Sequence, residues 1–480
     1  MVGQSSDPPA VKNSFSRVTS YEELSEYVQQ LDRQSGLLNV EVCGQSGELR
    51  NIYEMKFSAS EFGSDPGKIR VLIFAQQHGN EQSGKEGSLL LARELLKEEN
   101  RYLFDKIDLA LIPQVNPDGS EVNERFNASG VDLNRNHLIL TEQETQAIHR
   151  IFDQYLFEVT MDVHEYSPYS EEWKLYGYRK NSDVTLGTTT NPNISQKIRR
   201  LSGEEFLPFI FNYLNDLGFS SFEYCPGGPP EINYIRHSTF DINDGRQSLG
   251  IQNTFSFIQE GMNGTDSYVE NLEHRAEGQL AGMRGMLEYI YLNAEKIKKL
   301  VAKERKKLAS GNSCQTISIQ SEHTSNGQKL NLPLFSYFTG SDTVVTVSDY
   351  RPVVRSTFDV KIPVGYLIPK DLAAWANSHS FVQSVYPVTE GLFIEQYYIN
   401  GIDSIDFEGD MTVYPSVTVK EPNGEINFEE YIYLPTSQLK GSMIILALEP
   451  KSVLGLVTYK NYAHLLKENE VFPVLRVTKK

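Results

Sequence analysis

The sequence predicts an α/β catalytic unit, a mixed, mostly parallel twisted sheet with helices on both faces, followed by a smaller β-rich C-terminal domain. Three observations lead there. Short apolar runs alternate with amphipathic segments from about residue 38 to about 295, the pattern of buried strands interleaved with covering helices. Beyond about residue 312 the texture changes to strand-like runs with little helical patterning. A chain of 480 residues is also longer than one ordinary core accommodates.

The elements follow in order. Residues 1–19 read as a polar tail. Ser20 and Glu23 then form an S-x-x-E capping box ahead of "YEELSEYVQQL", a predicted helix. Strands are predicted at "RVLIFA", "DLALIPQV", "FEVTMDV" and "NTFSFIQ". Helices are predicted at "GSLLLARELLKEE", "TEQETQAIHRIFDQYL", "EEFLPFIFNYLNDL" and the long "GQLAGMRGMLEYIYLNAEKIKKLVAKERKKL". The segment "ASGNSCQ" reads as a linker, which sets the catalytic domain at 20–309 and the β-rich domain at 312–480. In the latter, "DTVVTVSDY", "STFDVKIPVGYLI", "GLFIEQYYI", "MTVYPSVTV", "FEEYIYLP", "SMIILALE" and "VFPVLRVTK" are strand-like, and "KDLAAWANSH" and "KNYAHLLKE" look helical. No internal repeat or long low-complexity segment is visible.

Composition narrows the partners. A net charge of -18 makes nucleic acid or an anionic membrane an electrostatically poor partner. The three cysteines, Cys43, Cys225 and Cys314, are too scattered for a disulfide framework or a cysteine-rich metal site, although an isolated pair could form in an oxidising compartment. No apolar run approaches membrane-spanning length, so no transmembrane segment is expected. The start, "MVGQSSDPPAVKNS", lacks the apolar core of a signal peptide. The expectation is a cytoplasmic protein, or a periplasmic or secreted one whose leader has been removed. Nothing in the sequence fixes an oligomeric state.

The chemistry begins at "KIRVLIFAQQHGNEQ". His78 and Glu81 lie where a predicted strand hands over to a predicted helix, with Gly79 between them to allow a sharp turn. In open α/β sheets, that rim beyond the carboxyl ends of strands is where ligands bind. "FEVTMDV" runs straight into His164, and "NTFSFIQ" into Glu260 and Gly261. A lone polar residue often ends a strand; two histidines and two glutamates doing so form a set. Zinc in a hydrolytic site takes three protein ligands and leaves one position for water, and His2Glu is a known ligand set. A further carboxylate would accept the proton of that water. H-E-x-x-H, G-x-S-x-G, G-x-G-x-x-G and P-loop patterns are absent.

"SGVDLNRNH" adds Asn134 and Arg135, and "NERFN" adds Arg125. A guanidinium presents a forked pair of donors to a carboxylate, which suits recognition of a peptide's C-terminus. A second arginine near the metal suits stabilisation of an oxyanion.

The ordered series "HGNE", "NPDG", Arg125, "VDLNRN", "MDVHEY" and "FSFIQEG" resembles the zinc metallocarboxypeptidases of the carboxypeptidase A family, over roughly residues 20–295. The resemblance implies one zinc ion per chain held by His78, Glu81 and His164, with Glu260 as general base. It implies Asn134 and Arg135 as ligands of the substrate carboxylate, Arg125 as the group polarising the scissile carbonyl, and Asp132 as the carboxylate orienting His78. The expected partner is a peptide with a free C-terminal carboxylate. "PVGYLIP", "LPTSQLKGSMIILALEP" and "VFPVLRV" resemble the tail of bacterial members, with packing or substrate access as the expected role. The family's mobile tyrosine has no direct match; Tyr224 and Tyr234 are candidates, as are Arg236 and Arg246. Glu260 sits two residues later in its strand than in the pancreatic enzymes, on the same face. Asn80 falls where those enzymes carry arginine.

Two alternatives share part of the pattern. Deacylases of the aspartoacylase and succinylglutamate desuccinylase type have H-x-x-E, a distant histidine and a "DLNR" stretch, but "NPDG" and "HEYSP" point to the peptidases. A non-catalytic relative could bind peptide or glycan through its β-rich domain; the complete ligand and base set argues against it.

Overall fold

The structure is a computed structural model that describes residues 7–311, 315–387, 390–407 and 410–479. Cys314 and part of the "ASGNSCQ" linker lie outside the described residues. Cys43 and Cys225 carry free thiols.

Residues 38–262 contain the strands β1 (Leu38–Gln45), β2 (Asn51–Phe57), β3 (Ile69–Ala75), β4 (Ile107–Ile112), β5 (Val159–Tyr166), β6 (Tyr178–Lys180), β7 (Val184–Thr188), β8 (Ser221–Glu223), β9 (Ile235–Arg236) and β10 (Phe255–Met262). Eight of them form one sheet in the order β1-β2-β4-β3-β5-β10-β7-β8. The centre is parallel, with β4, β3, β5 and β10 side by side. The β1 and β2 edge and the β10–β7 step are antiparallel. The central strands are the apolar runs of the sequence: β4 is buried at every position, and β3 at every position but Arg70. That is what coverage on both faces demands.

The helix Gln82–Leu95 packs against the long helix Leu272–Ala309, and Gly87 permits it: a Cβ there would lie 2.6 Å from Cβ of Gln279. The helix Tyr21–Gln34 begins with the capping box, Ser20 accepting from the Glu23 amide while Glu23 accepts from the Ser20 amide. The stretch read as a polar tail contains a helical turn, Pro9–Lys12, with Pro9 and Ala10 buried. Thr19 donates its amide and hydroxyl to the buried Glu86 carboxylate.

One edge strand of the large sheet lacked a sequence signal. β1 is a mostly polar edge strand with only Leu38 buried, so it shows no apolar run. The segment "SMIILALE" is a correction of the opposite kind. It reads as a strand and is the helix Gly441–Leu448, with every residue buried. A short run that is apolar all round carries neither period, so burial inside the core decides its form.

The C-terminal strands are β11 (Thr316–Thr324), β12 (Leu330–Ser336), β13 (Ser341–Val347), β14 (Tyr350–Arg351), β15 (Val353–Lys361), β16 (Gly365–Pro369), β17 (Leu392–Phe407), β18 (Asp410–Lys420), β19 (Tyr431–Pro435) and β20 (Val471–Lys479). Five make a sheet in the order β18-β17-β20-β16-β19. Others pair with the catalytic half: β12 joins β6 antiparallel, and β14 joins β9 parallel. One hydrophobic cluster runs continuously from Leu24 through Val163 and Ile297 to Tyr366, Ile444 and Val474. The two halves therefore share a core.

Candidate metal centre and active site

The chain leaves β3 through Gln76 in the left-handed region, at φ 58°. The loop after β4 stacks on it, with Val115 and Asn116 donating their amides to the Ala75 and Gln76 carbonyls at 3.0 Å each. Gly79 lies outside the left-handed region, so the expected reason for a glycine there is replaced by another. A Cβ at this position would lie 2.1 Å from the Gly119 carbonyl carbon, so the residue is small because two loops touch. Glu81 occupies the residue before the helix Gln82–Leu95 and does not cap it with its side chain. That carboxylate turns instead to the two histidines.

His78 Nδ1 lies 2.7 Å from Glu81 Oε1, and His164 Nδ1 lies 2.8 Å from Glu81 Oε2. The two Nδ1 atoms are 3.2 Å apart. All three side chains are buried. Behind each ring stands a second carboxylate: Asp132 Oδ1 at 3.1 Å from His78 Nε2, and Asp162 Oδ1 at 2.8 Å from His164 Nε2. A metal-binding imidazole has this form, one nitrogen free for the ion and the other held by an acid. Three zinc donors at about 2.0–2.1 Å from a tetrahedral centre stand about 3.3 Å apart, and the two Nδ1 atoms stand close to that separation, with one Glu81 oxygen facing each. Burial opposes charge on Glu81, and the His78 and His164 imidazoles override it and hold the carboxyl well below its ordinary range. Burial pulls His164 down, and Asp162 with Glu81 raises it well above its ordinary value. A buried, acid-rich pocket of this kind suits a divalent cation, and the residues fit zinc.

Glu260, in β10, sits beside His164 in the parallel register of β10 on β5. Burial pushes its carboxyl up to about 7, with His164 opposing and Glu81 adding. His78, Glu81 and Glu260 line a cavity of about 370 Å³ together with Arg125, Asn134 and Arg135. Arg125 donates to Asp132 Oδ2 through Nε at 3.0 Å and NH2 at 2.8 Å, and its NH1 stands 3.9 Å from Glu81 Oε1. Asn134 is fixed by its Oδ1, which accepts from the Gly245 amide at 2.8 Å; its Nδ2 lies 3.1 Å from His164 Nε2. Arg135 donates to its neighbour's carbonyl at 2.9 Å, and its side chain is exposed to the cavity.

Of the tyrosine and arginine candidates, Tyr224 and Arg246 line the cavity. Tyr234 lies under the Arg351 guanidinium at 4.0 Å, away from that lining. Arg246 is buried and bound to Asp244 at 2.8 Å.

Sequence reasoning passed over several residues that organise the site. Asp162 lies two residues before His164 in β5 and so on the same strand face; a buried acid inside an apolar strand was the available signal. Gln77 donates to both oxygens of Asp162, at 3.0 and 2.8 Å. Glu165 accepts from Arg275 at 2.9 Å and from the Ser83 amide at 3.0 Å, pinning β5 to two helices. Lys180 lines the cavity and donates to the Cys225 carbonyl at 2.6 Å.

Residues 24–204 match a protein-family profile described as zinc carboxypeptidase. The chain is 23% identical over 470 residues to Carboxypeptidase 2 of Trichophyton rubrum, an alignment covering 93% of this chain and 85% of that one. It is 23% identical over 436 residues to Carboxypeptidase 2 of Trichophyton tonsurans, covering 85% and 77%. Among solved structures, a metallo-carboxypeptidase from Burkholderia cenocepacia superposes with a TM-score of 0.45 at 18% identity, covering 58% of this chain and 70% of that one. No helix among the described residues is long and apolar enough to cross a membrane.

Proposed function

We propose that this chain is a zinc-dependent peptidase of the zinc carboxypeptidase family, which its residues 24–204 match, and that it removes single residues from the carboxyl end of peptides with Glu260 as its base. The observation that carries the reading is the convergence of His78, Glu81 and His164, the two Nδ1 atoms 3.2 Å apart and each within 2.8 Å of a Glu81 oxygen, on a cavity that also holds Glu260, Arg125 and Arg135.

Zinc held by His78, Glu81 and His164 supplies a Lewis acid and brings water's pKa towards neutrality. Asp132 and Asp162 hold the Nε2 side of the two rings, which would leave each Nδ1 free for the ion. Glu260 takes the proton of the attacking water and returns it to the leaving amine; a carboxyl raised by burial suits both transfers. Arg125 stands beside Glu81 and stabilises the oxyanion. Arg135 pairs with the substrate carboxylate, and Asn134, braced by Gly245, sets the arginine's approach. The substrate is a peptide with a free C-terminus.

Arg135→Ala is the test. Loss of a charged hydrogen-bonding partner should raise KM for a peptide with a free carboxylate about 10- to 100-fold. The same peptide amidated should bind no worse than before. Equal weakening of both forms would remove the carboxylate role.

A further inference from the structure

Among the described residues, none beyond Glu260 lines the catalytic cavity, so the C-terminal region does not touch substrate there. It does reach the loop that carries Asn134 and Arg135. Trp375 Nε1 donates to the Leu138 carbonyl at 2.9 Å, and His379 Nε2 donates to the same oxygen at 2.7 Å. Both side chains are buried, as is Leu138. Two donors satisfy both lone pairs of that carbonyl and fix its direction, and the bond requires the His379 proton to sit on Nε2.

The clamp is itself anchored. The His379 ring stacks on Phe381 with centroids 4.8 Å apart, and Trp375 meets Phe381 edge-on. Lys440 donates to the His379 carbonyl at 2.6 Å and pairs with Asp153 at the same distance, tying this segment to the helix Gln143–Tyr155. From the other side, His137 donates its amide to the Asn243 carbonyl, and its Nε2 lies 2.8 Å from Gln77 Oε1. The stretch that starts at Asp132 and ends at Leu138 is therefore gripped at one end by the metal site and at the other by the C-terminal region. Arg135 stands between the two grips, its guanidinium hydrogen-bonded, among the described residues, to the neighbouring Asn134 carbonyl.

We infer that Trp375 and His379 are positioning residues for substrate binding: through the Leu138 carbonyl they set where Arg135 presents its guanidinium, which makes the C-terminal region part of the peptidase's recognition of the substrate carboxylate. The inference rests on the reading of Arg135 as the carboxylate partner.

Trp375→Phe keeps a ring and removes the N–H; His379→Phe keeps the stack on Phe381 and removes the other donor. Each variant of the full-length, zinc-loaded chain should raise KM for a free-carboxylate peptide about 3- to 10-fold, with kcat within about twofold and zinc content unchanged. The double variant should exceed either single one. A purely structural role would lower the unfolding temperature and leave KM alone, and that outcome overturns the inference. So does a fall in kcat and zinc content together. If the double variant fails to fold, Trp375→Phe alone decides. Arg135→Ala separates the two layers. Should it leave KM unmoved, the carboxylate reading falls and this inference with it. Should it raise KM while both clamp variants do not, only the positioning role falls.

Discussion

The rim that carries His78, Glu81 and Glu260 and the loop that carries Asn134 and Arg135 border one cavity and are held by different means. At the rim, His164 and Glu260 lie in the strands β5 and β10, in the middle of a buried sheet, and His78 and Glu81 lie in the short loop that leads from β3 to the helix Gln82–Leu95. Strand register sets His164 and Glu260, and close loop-on-loop contacts at Gln76 and Gly79 set His78 and Glu81. The substrate loop has no such frame. It is irregular between Asn127 and Asp132 and a single 3-10 turn at Leu133–Arg135. Its far end is held by side chains up to 241 residues away in sequence. On the proposed roles of Glu260 and Arg135, the contrast means that chemistry and recognition are stabilised separately. A change in the sheet should cost turnover or metal; a change in the C-terminal grip should cost binding.

The largest effect expected breaks the chemistry side alone. Glu260→Gln should lower kcat about 10²- to 10⁴-fold, as loss of a general base does, while zinc content by atomic absorption stays at one per chain. A variant that keeps most of its turnover would show that another group moves the proton.

Next comes the support behind the ligands. Asp162→Asn and Asp132→Asn should each weaken zinc binding about 10- to 100-fold in competition with a chelator, without unfolding the chain. Unchanged affinity would mean that the rings are held by packing and not by the acids.

A smaller effect sharpens the C-terminal side. His137, His149 and His379 form a buried group that crosses from the catalytic half to the C-terminal region, with His137 Nδ1 at 3.0 Å from His149 Nε2 and the His149 and His379 rings 5.7 Å apart. Burial, helped by Lys440, lowers His379 to about 3. Burial lowers His137 to about 4 against the pull of Asp162, and lowers His149 well below its ordinary value. The unfolded chain takes up these protons near pH 6.5 and the folded chain does not. Their contribution is therefore present above pH 6.5 and is lost as pH falls towards the folded values. At pH 5 one such imidazole costs about 2 kcal/mol. Urea unfolding at pH 7.5 and pH 5 should show the native protein losing stability on acidification, and His379→Phe losing about 2 kcal/mol less. An identical loss in both proteins would mean that His379 is not held neutral.

The difference between the regions also explains what the sequence could reveal. The strands that frame the metal site announce themselves as apolar runs ending in His78, His164 and Glu260, because burial on both faces forces that composition. The edge strand β1 is half wet and gave no run. The helix Gly441–Leu448 looked like a strand because total burial erases periodicity. Asp132 could be named through the family resemblance, while Asp162, which holds His164 in the same way, hid inside an apolar strand. The grip of Trp375 and His379 on Leu138 had no local signature at all, since nothing near either partner in sequence records the meeting.

The central claim is that His78, Glu81 and His164 grip one zinc ion, and an anomalous-scattering map at the zinc edge from crystals of the zinc-loaded chain tests it most directly. The account predicts a single peak about 2.0–2.2 Å from Nδ1 of both histidines and from a Glu81 carboxylate oxygen, with Glu260 across the cavity and not bound to it. A peak elsewhere, or none at full zinc loading with the two imidazoles turned apart, would contradict it.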